Sequence, residues 1–186
     1  TLQQANNDIR QLAFNMLAQG VGAEQLTQFI SALNDALTRR VLQLNLENHN
    51  FDGIEWCWLA FGSEGRDEQT FVTDQDNGIV FACDDTAAVD SLRQRFLTFA
   101  LDVNKDLDRC GFTLCKGNIM ASNPQWCLTL NEWKEQFSTW IRVPQPEALL
   151  NATIFFDFRP LFGKVELAES LRRHLLIQTQ SSPMFL

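Results

Sequence analysis

Tyrosine is absent from this 186-residue chain. Self-modification on a tyrosine is therefore excluded, whatever chemistry the protein carries out. Histidine is almost absent: only His49 and His174 occur, and neither stands in a motif. The string Phe61-Gly62-Ser63-Glu64-Gly65 lacks the G-x-S-x-G pattern of a serine elbow, which argues against Ser63 as a hydrolytic nucleophile. Excess positive charge is missing too. A formal net charge of −8 argues against broad electrostatic binding to DNA, RNA or an anionic membrane, although a local basic pocket stays possible. No apolar run approaches the ~20 residues that span a bilayer. No signal peptide, internal repeat or low-complexity segment is visible in this stretch, and an opening Thr1 leads us to expect a fragment of a longer protein.

What is present suits an ordinary globular domain. Apolar residues make up 45% of the chain and charged residues 20%. The length suffices for one domain with a proper core, with part of a second. Five cysteines, an odd count, include Cys57 and Cys83 inside strand-like runs, which suggests buried thiols in a reducing cytoplasm. Cys110 and Cys115 have four residues between them, with no second pair and no suitably spaced histidine, so no zinc site is expected.

Periodicity outlines the elements. Ile9, Leu12, Ala13, Met16 and Leu17 follow helical spacing, and Gly20-Val21-Gly22 breaks that helix. A longer helix carries Leu26, Phe29, Ile30, Leu33, Leu37, Val41 and Leu44. After a polar loop, a strand is expected from about Ile54, and a second strand ends near Cys83. Asp84-Asp85-Thr86 can cap a helix whose apolar face is Val89, Leu92, Phe96, Phe99, Val103 and Leu107. A short strand, Phe112 to Cys115, is expected next, then an irregular loop from Lys116 to Pro124. Thr129-Leu130-Asn131-Glu132 reads as a capping box opening a helix that buries Trp133, Phe137 and Trp140. Arg142 to Glu147, with two prolines, reads as a linker. The run Thr153 to Phe158 reads as a strand or a buried helix, and Gly163 precedes a last helix with Leu167, Leu171 and Leu175. The expected class is mixed α/β: a small sheet flanked by helices, with an N-terminal helical arm. We place the arm at 1–50, a core at 51–145 and the start of a C-terminal part at 146–186.

One stretch carries chemistry. The apolar run Trp56 to Phe61 stops at Gly62-Ser63; about ten residues on comes Asp74-Gln75-Asp76, followed by the apolar run Ile79 to Ala82. On a strand, Asp74 and Asp76 point to the same face. Two carboxylates so close repel one another, and a divalent cation relieves that conflict. Mg²⁺ takes one or two carboxylates together with substrate phosphates. Gly62 permits a sharp turn and close approach to a ligand, Ser63 adds a hydroxyl, and amides near a helix start can hold phosphate oxygens. Arg66 offers a forked, permanently charged phosphate contact. Lys116 and Asn118 face a nucleotide or form a solvated loop; both readings stay open.

The string GSEGRDEQTFVTDQDNGIVF, residues 62–81, resembles the DUF294 nucleotidyltransferase domain family. That family is related to bacterial protein uridylyl- and adenylyltransferases and to the polymerase-β-type superfamily. Leu33-Asn34-Asp35 with Arg39-Arg40, Gly117 to Pro124 with Trp126, and Phe155 to Pro160 with Gly163 resemble its outer motifs. The resemblance implies that Gly62 and Ser63 hold a nucleoside triphosphate and that Asp74 and Asp76 bind Mg²⁺ and act in catalysis. Arg66, Glu68 and Gln69 belong to the same motif, in which orienting Arg66 is the expectation for Glu68. It further implies transfer of a nucleoside monophosphate to a protein or small-molecule hydroxyl in signalling, with CBS or cyclic-nucleotide-binding modules beside the domain.

The chain departs from the wider superfamily in one respect. A third carboxylate is expected on a later strand, yet Gly111 to Asn118 contains no acid. Asp157 is the later candidate metal ligand; its other reading is a buried structural ion pair with Arg159. A missing third acid favours an alternative function, a catalytically weak nucleotide sensor. A helical interaction domain built on the fifteen phenylalanines and five tryptophans is the third reading.

Overall fold

The computed structural model describes residues 2–66, 68, 74–142 and 153–180. Helices α1 (Leu2–Ala18) and α2 (Ala23–Leu46) form the N-terminal arm. Strand β1 (Trp56–Ala60) runs into a single helical turn, α3 (Gly62–Gly65). Strand β2 (Asn77–Phe81) leads to the long helix α4 (Val89–Arg109). A 3₁₀ turn (Pro124–Trp126) precedes strand β3 (Cys127–Thr129) and helix α5 (Leu130–Arg142). Strand β4 (Arg159–Gly163) and helix α6 (Val165–Gln180) complete the described residues. The sheet has the order β3-β2-β1-β4. β1 is antiparallel to both β2 and β4, whereas β2 and β3 are parallel. The mixed α/β class expected from the sequence is the class observed.

Every residue of β1 and β2 is buried, because helices cover both faces of the sheet. Strand alternation divides the two cores. Trp56, Trp58, Ile79 and Phe81 pack against Leu37, Val41 and Leu42 of α2 and Phe96, Phe99 and Val103 of α4. Cys57, Leu59 and Val80 pack on the other side against Trp133 and Phe137 of α5 and Leu167 and Leu171 of α6. Burying side chains of this size stabilises by about 1.5–3 kcal/mol each. The Trp133 Nε1–H donates to the Ile79 carbonyl at 2.9 Å, which fixes α5 against β2. A small third cluster, Ala13, Leu26 and Ile30, joins α1 to α2.

Several local expectations are corrected. Asp74 and Asp76 precede β2 and do not lie within it; Asp74 makes an isolated parallel bridge to Thr113. That bridge is all that forms of the strand expected over Phe112 to Cys115. Residues 153–155 make a helical turn, and the strand begins only at Arg159. α4 starts at Val89 without a side-chain cap; Asp85 Oδ1 accepts the Ala87 N–H at 3.0 Å in a turn ahead of it. The capping box at α5 is reciprocal as expected: the Thr129 N–H donates to Glu132 Oε2 at 2.7 Å, and the Glu132 N–H to Thr129 Oγ1 at 3.2 Å. The expected linker at Pro144 and Pro146 lies outside the described residues.

Candidate functional site

The end of β1 and the approach to β2 meet at Gly62 and Asp76. The Phe61 N–H donates to the Asp76 carbonyl at 2.9 Å, extending the antiparallel pairing past the strands. Gly62 then adopts φ +54°, in the left-handed region. A Cβ on Gly62 would lie 2.9 Å from Asp76 Oδ2, so glycine serves both the turn and the close approach of the acid. The turn closes through Gly65 N–H to Phe61 O, 2.9 Å, and Arg66 N–H to Gly62 O, 3.1 Å. Ser63 is half-buried within it.

Asp74 and Asp76 are brought together, as their spacing predicts, and a third side chain joins them. Single ligand atoms of Asp74, Asp76 and Cys115 all lie within 4.8 Å of one another. Asp76 Oδ1 is buried and has no hydrogen-bond partner among the described residues. Burial pushes the Asp76 carboxyl above the usual range; a hydrogen bond from the Cys115 thiol opposes this, and the charge of Asp74 adds to it. An orphaned carboxylate oxygen beside a second acid is a donor set that fits a divalent cation. Such an ion would be held by Asp74 and Asp76.

A buried amide network holds the two acids in place. Gln75 and Asn77 alternate with them and point the opposite way, into the protein. Gln75 Nε2 donates to the carbonyls of Asn104 and Phe112, at 3.0 and 2.9 Å. Asn104 Nδ2 donates to Gln75 Oε1 at 2.8 Å and to Asn77 Oδ1 at 3.1 Å. Asn77 Oδ1 also accepts the Ala121 N–H at 2.8 Å. The sequence reading missed these amides. Their signal was four consecutive polar residues, Asp-Gln-Asp-Asn, ahead of a strand buried on both faces.

The remaining expected residues surround this centre. Arg66 Nε donates to Glu68 Oε2 at 2.8 Å, the contact through which Glu68 was expected to orient Arg66. Lys116 is exposed on the turn that follows Cys115. Asn118, at φ +54°, gives its carbonyl to Asn123 Nδ2 and Trp126 Nε1, at 3.0 and 3.1 Å, so this loop is internally bonded. Asp157 stands apart from the Asp74–Asp76–Cys115 group. It is neither buried nor a partner of Arg159 in the expected ion pair: its carboxylate is 57% exposed and lies 3.8 Å from Arg66 Nη1. Gln69 lies outside the described residues. Beside the turn, Glu24, Thr27, Gln28, Asp35, Arg66 and Arg159 help line an open cavity of ≈ 780 Å³.

Residues 7–147 match a family described as "Putative nucleotidyltransferase DUF294". The chain belongs to the DUF294 family. The match spans the glycine turn, both acids, Cys115 and Lys116, and it stops before Asp157 and β4 of this DUF294 domain. No curated protein matches the chain. Among the described residues, no helix is long and apolar enough to cross a membrane.

Proposed function

We propose that this DUF294 domain transfers a nucleoside monophosphate from a nucleoside triphosphate to a hydroxyl of a protein or small molecule, with Mg²⁺ as cofactor, in cytoplasmic signalling. The observation that carries this reading is the contact between Gly62 and Asp76. It sets a left-handed glycine turn directly against a carboxylate with an unsatisfied, buried oxygen. Bound Mg²⁺ would supply neutralisation of charge on the phosphate oxygens. Asp74 and Asp76 bind and orient that ion. Gly62 and Ser63 grip the triphosphate, using a small-residue backbone and a half-buried hydroxyl. Arg66, steadied by Glu68, and exposed Lys116 add positive charge at the rim. The cavity next to Arg66 is large enough to admit an acceptor group. Catalysis here is positioning and fixed electrostatics. Adjacent CBS or cyclic-nucleotide-binding modules would couple the domain to a signal.

A second reading, a nucleotide sensor with weak catalysis, is favoured by the thiol that stands beside the two acids where a third carboxylate was sought. One experiment separates the two. Thermal shift with each nucleoside triphosphate, with and without Mg²⁺, reports binding through mass action; pyrophosphate release reports transfer. The transferase reading predicts Mg²⁺-dependent stabilisation and pyrophosphate release, both lost in Asp76→Asn. Binding without release supports the sensor, and undiminished turnover in Asp76→Asn removes the metal assignment.

A further inference from the structure

Cys115 is the one member of the candidate site that neither the glycine turn nor the acid pair accounts for. It lies in the segment where a third acid was expected and found missing. It reaches the pair because Thr113 bridges to Asp74 and the Gln75 N–H donates to the Thr113 carbonyl at 2.9 Å, which docks the 113–115 segment beside the acids. Three features bear on what its sulfur does there.

The first is proximity: Sγ and one oxygen from each acid fall within 4.8 Å. Bonds of ~2.3 Å to sulfur and ~2.1 Å to oxygen place such atoms roughly 3.6 Å apart around a tetrahedral ion, so small side-chain rotations suffice. The second is the orphaned Asp76 Oδ1, which the Cys115 thiol does not satisfy. The third is the wrapping of the loop. The Asn118 N–H donates to the Cys115 carbonyl at 3.0 Å and Asn118 turns left-handed, so the turn closes over the sulfur, and a Cβ on Gly117 would lie 3.6 Å from it. A turn that closes over the sulfur holds it in place beside the acids.

We propose that Cys115 is a third metal ligand, and that Asp74, Asp76 and Cys115 form a mixed oxygen–sulfur site that binds thiophilic divalent cations such as Co²⁺, Zn²⁺ and Cd²⁺ more tightly than Mg²⁺. This rests on the reading above that the two acids hold a divalent cation. Mg²⁺ favours hard oxygen ligands and shared substrate phosphates, so it uses the acid pair and leaves the sulfur aside. A softer ion recruits the sulfur, displaces the thiol proton to solvent, and stays bound without nucleotide. The domain is then occupied and blocked by trace thiophilic metal until that metal is removed.

The test is a Co²⁺ titration of the purified chain without nucleotide. A sulfur-to-cobalt charge-transfer band in the near ultraviolet, saturating at one equivalent, is expected. It should vanish in Cys115→Ser, with Co²⁺ affinity falling at least about tenfold, the scale on which even outer-shell partners of metal ligands act. Saturable Co²⁺ binding without the band, no saturable binding, or an unchanged band in Cys115→Ser overturns the proposal. Should that variant fail to fold, X-ray absorption of the Zn²⁺-loaded wild type decides: one sulfur scatterer at ~2.3 Å supports the site and none refutes it. Mg²⁺-dependent transfer without sulfur ligation sinks this inference alone. Sulfur ligation without nucleotide binding supports it and sinks the transferase reading alone.

Discussion

Asp35 on α2 and Arg159 at the head of β4 form a two-pronged ion pair, with Nη1 2.7 Å from Oδ2 and Nη2 2.6 Å from Oδ1. Their side chains are only 8% and 17% exposed. Arg159 Nε also donates to the Glu64 carbonyl at 3.0 Å, at the end of the glycine turn. The helical arm, β4 and the turn are therefore joined through one guanidinium.

Removing either partner takes the two-pronged contact from a charge in a largely dry setting. Arg159→Ala or Asp35→Ala should lower unfolding free energy by about 3–5 kcal/mol. Arg39→Ala is the control: Arg39 also touches Asp35, at 3.3 Å, but is 46% exposed, so about 1 kcal/mol or less is expected. Urea unfolding monitored by tryptophan fluorescence checks both values. Equal losses in Arg39→Ala and Arg159→Ala would contradict the geometry.

The glycine turn makes a second prediction. Gly62→Ala places a methyl 2.9 Å from Asp76 Oδ2 and forces a non-glycine residue to φ +54°. A cost of roughly 1–3 kcal/mol in stability follows. Displacement of the Asp76 carboxylate should also weaken metal-dependent nucleotide binding. Calorimetry on the folded variant tests this; unchanged affinity would mean that the carboxylate need not lie against the turn.

The capping box gives a pH dependence. Burial pushes the Glu132 carboxyl up, but hydrogen bonds from Arg93 and Thr129 outweigh it and hold the group below its ordinary value of 4.5. A depressed carboxylate stabilises the fold above its unfolded pKa and loses that contribution as pH falls through the folded one. Glu132→Gln should thus cost about 1 kcal/mol or less at neutral pH, because the side chain is 39% exposed and solvent screens the pair. The gap between wild type and variant should stay constant down to about pH 5 and close below 4.5. Denaturation curves at several pH values measure it, and a gap independent of pH would refute the assignment.

Local patterns account for what the sequence made legible. Gly62 and Ser63 ending an apolar run, the Asp-x-Asp spacing, the apolar stripe of α4 and the Thr129–Glu132 box all act within a few residues. What stayed hidden depends on partners far along the chain. β3 is three residues long and exists only through its parallel pairing with β2. β4 contains Pro160 and Gly163, poor strand formers in isolation, and is tolerated because it is an edge strand with a register shift opposite Trp58 and Leu59. The Thr153–Phe158 run looked strand-like because it is apolar throughout; Phe155 and Phe158, three apart, are the residues buried in the α5–α6 core. In sequence Cys115 pairs only with Cys110, with no zinc site expected, since spacing along a sequence cannot show that the parallel bridge of Thr113 to Asp74 brings Cys115 beside Asp76.

Asn104 tests whether the buried amides position the acids. It sits on α4, almost fully buried, and reaches Gln75 and Asn77 on either side of Asp76. Asn104→Ala leaves Gln75 Oε1 without that donor and removes the acceptor of the Ser122 N–H. Each unsatisfied buried group costs about 1–3 kcal/mol, so a marked loss of stability is expected. The more telling outcome concerns the acids themselves. If the network fixes their separation, metal affinity should fall about 10–100-fold in protein that is still folded, as for other outer-shell partners of metal ligands. Asn104→Asp keeps the shape and the acceptor but replaces the donor that serves Gln75 and Asn77, so it should share the affinity loss. Cobalt or manganese titration under conditions where circular dichroism reports full folding separates the two effects. A destabilised variant with wild-type metal affinity would make Asn104 a packing residue and leave Asp74 and Asp76 positioned by the strand pairing alone.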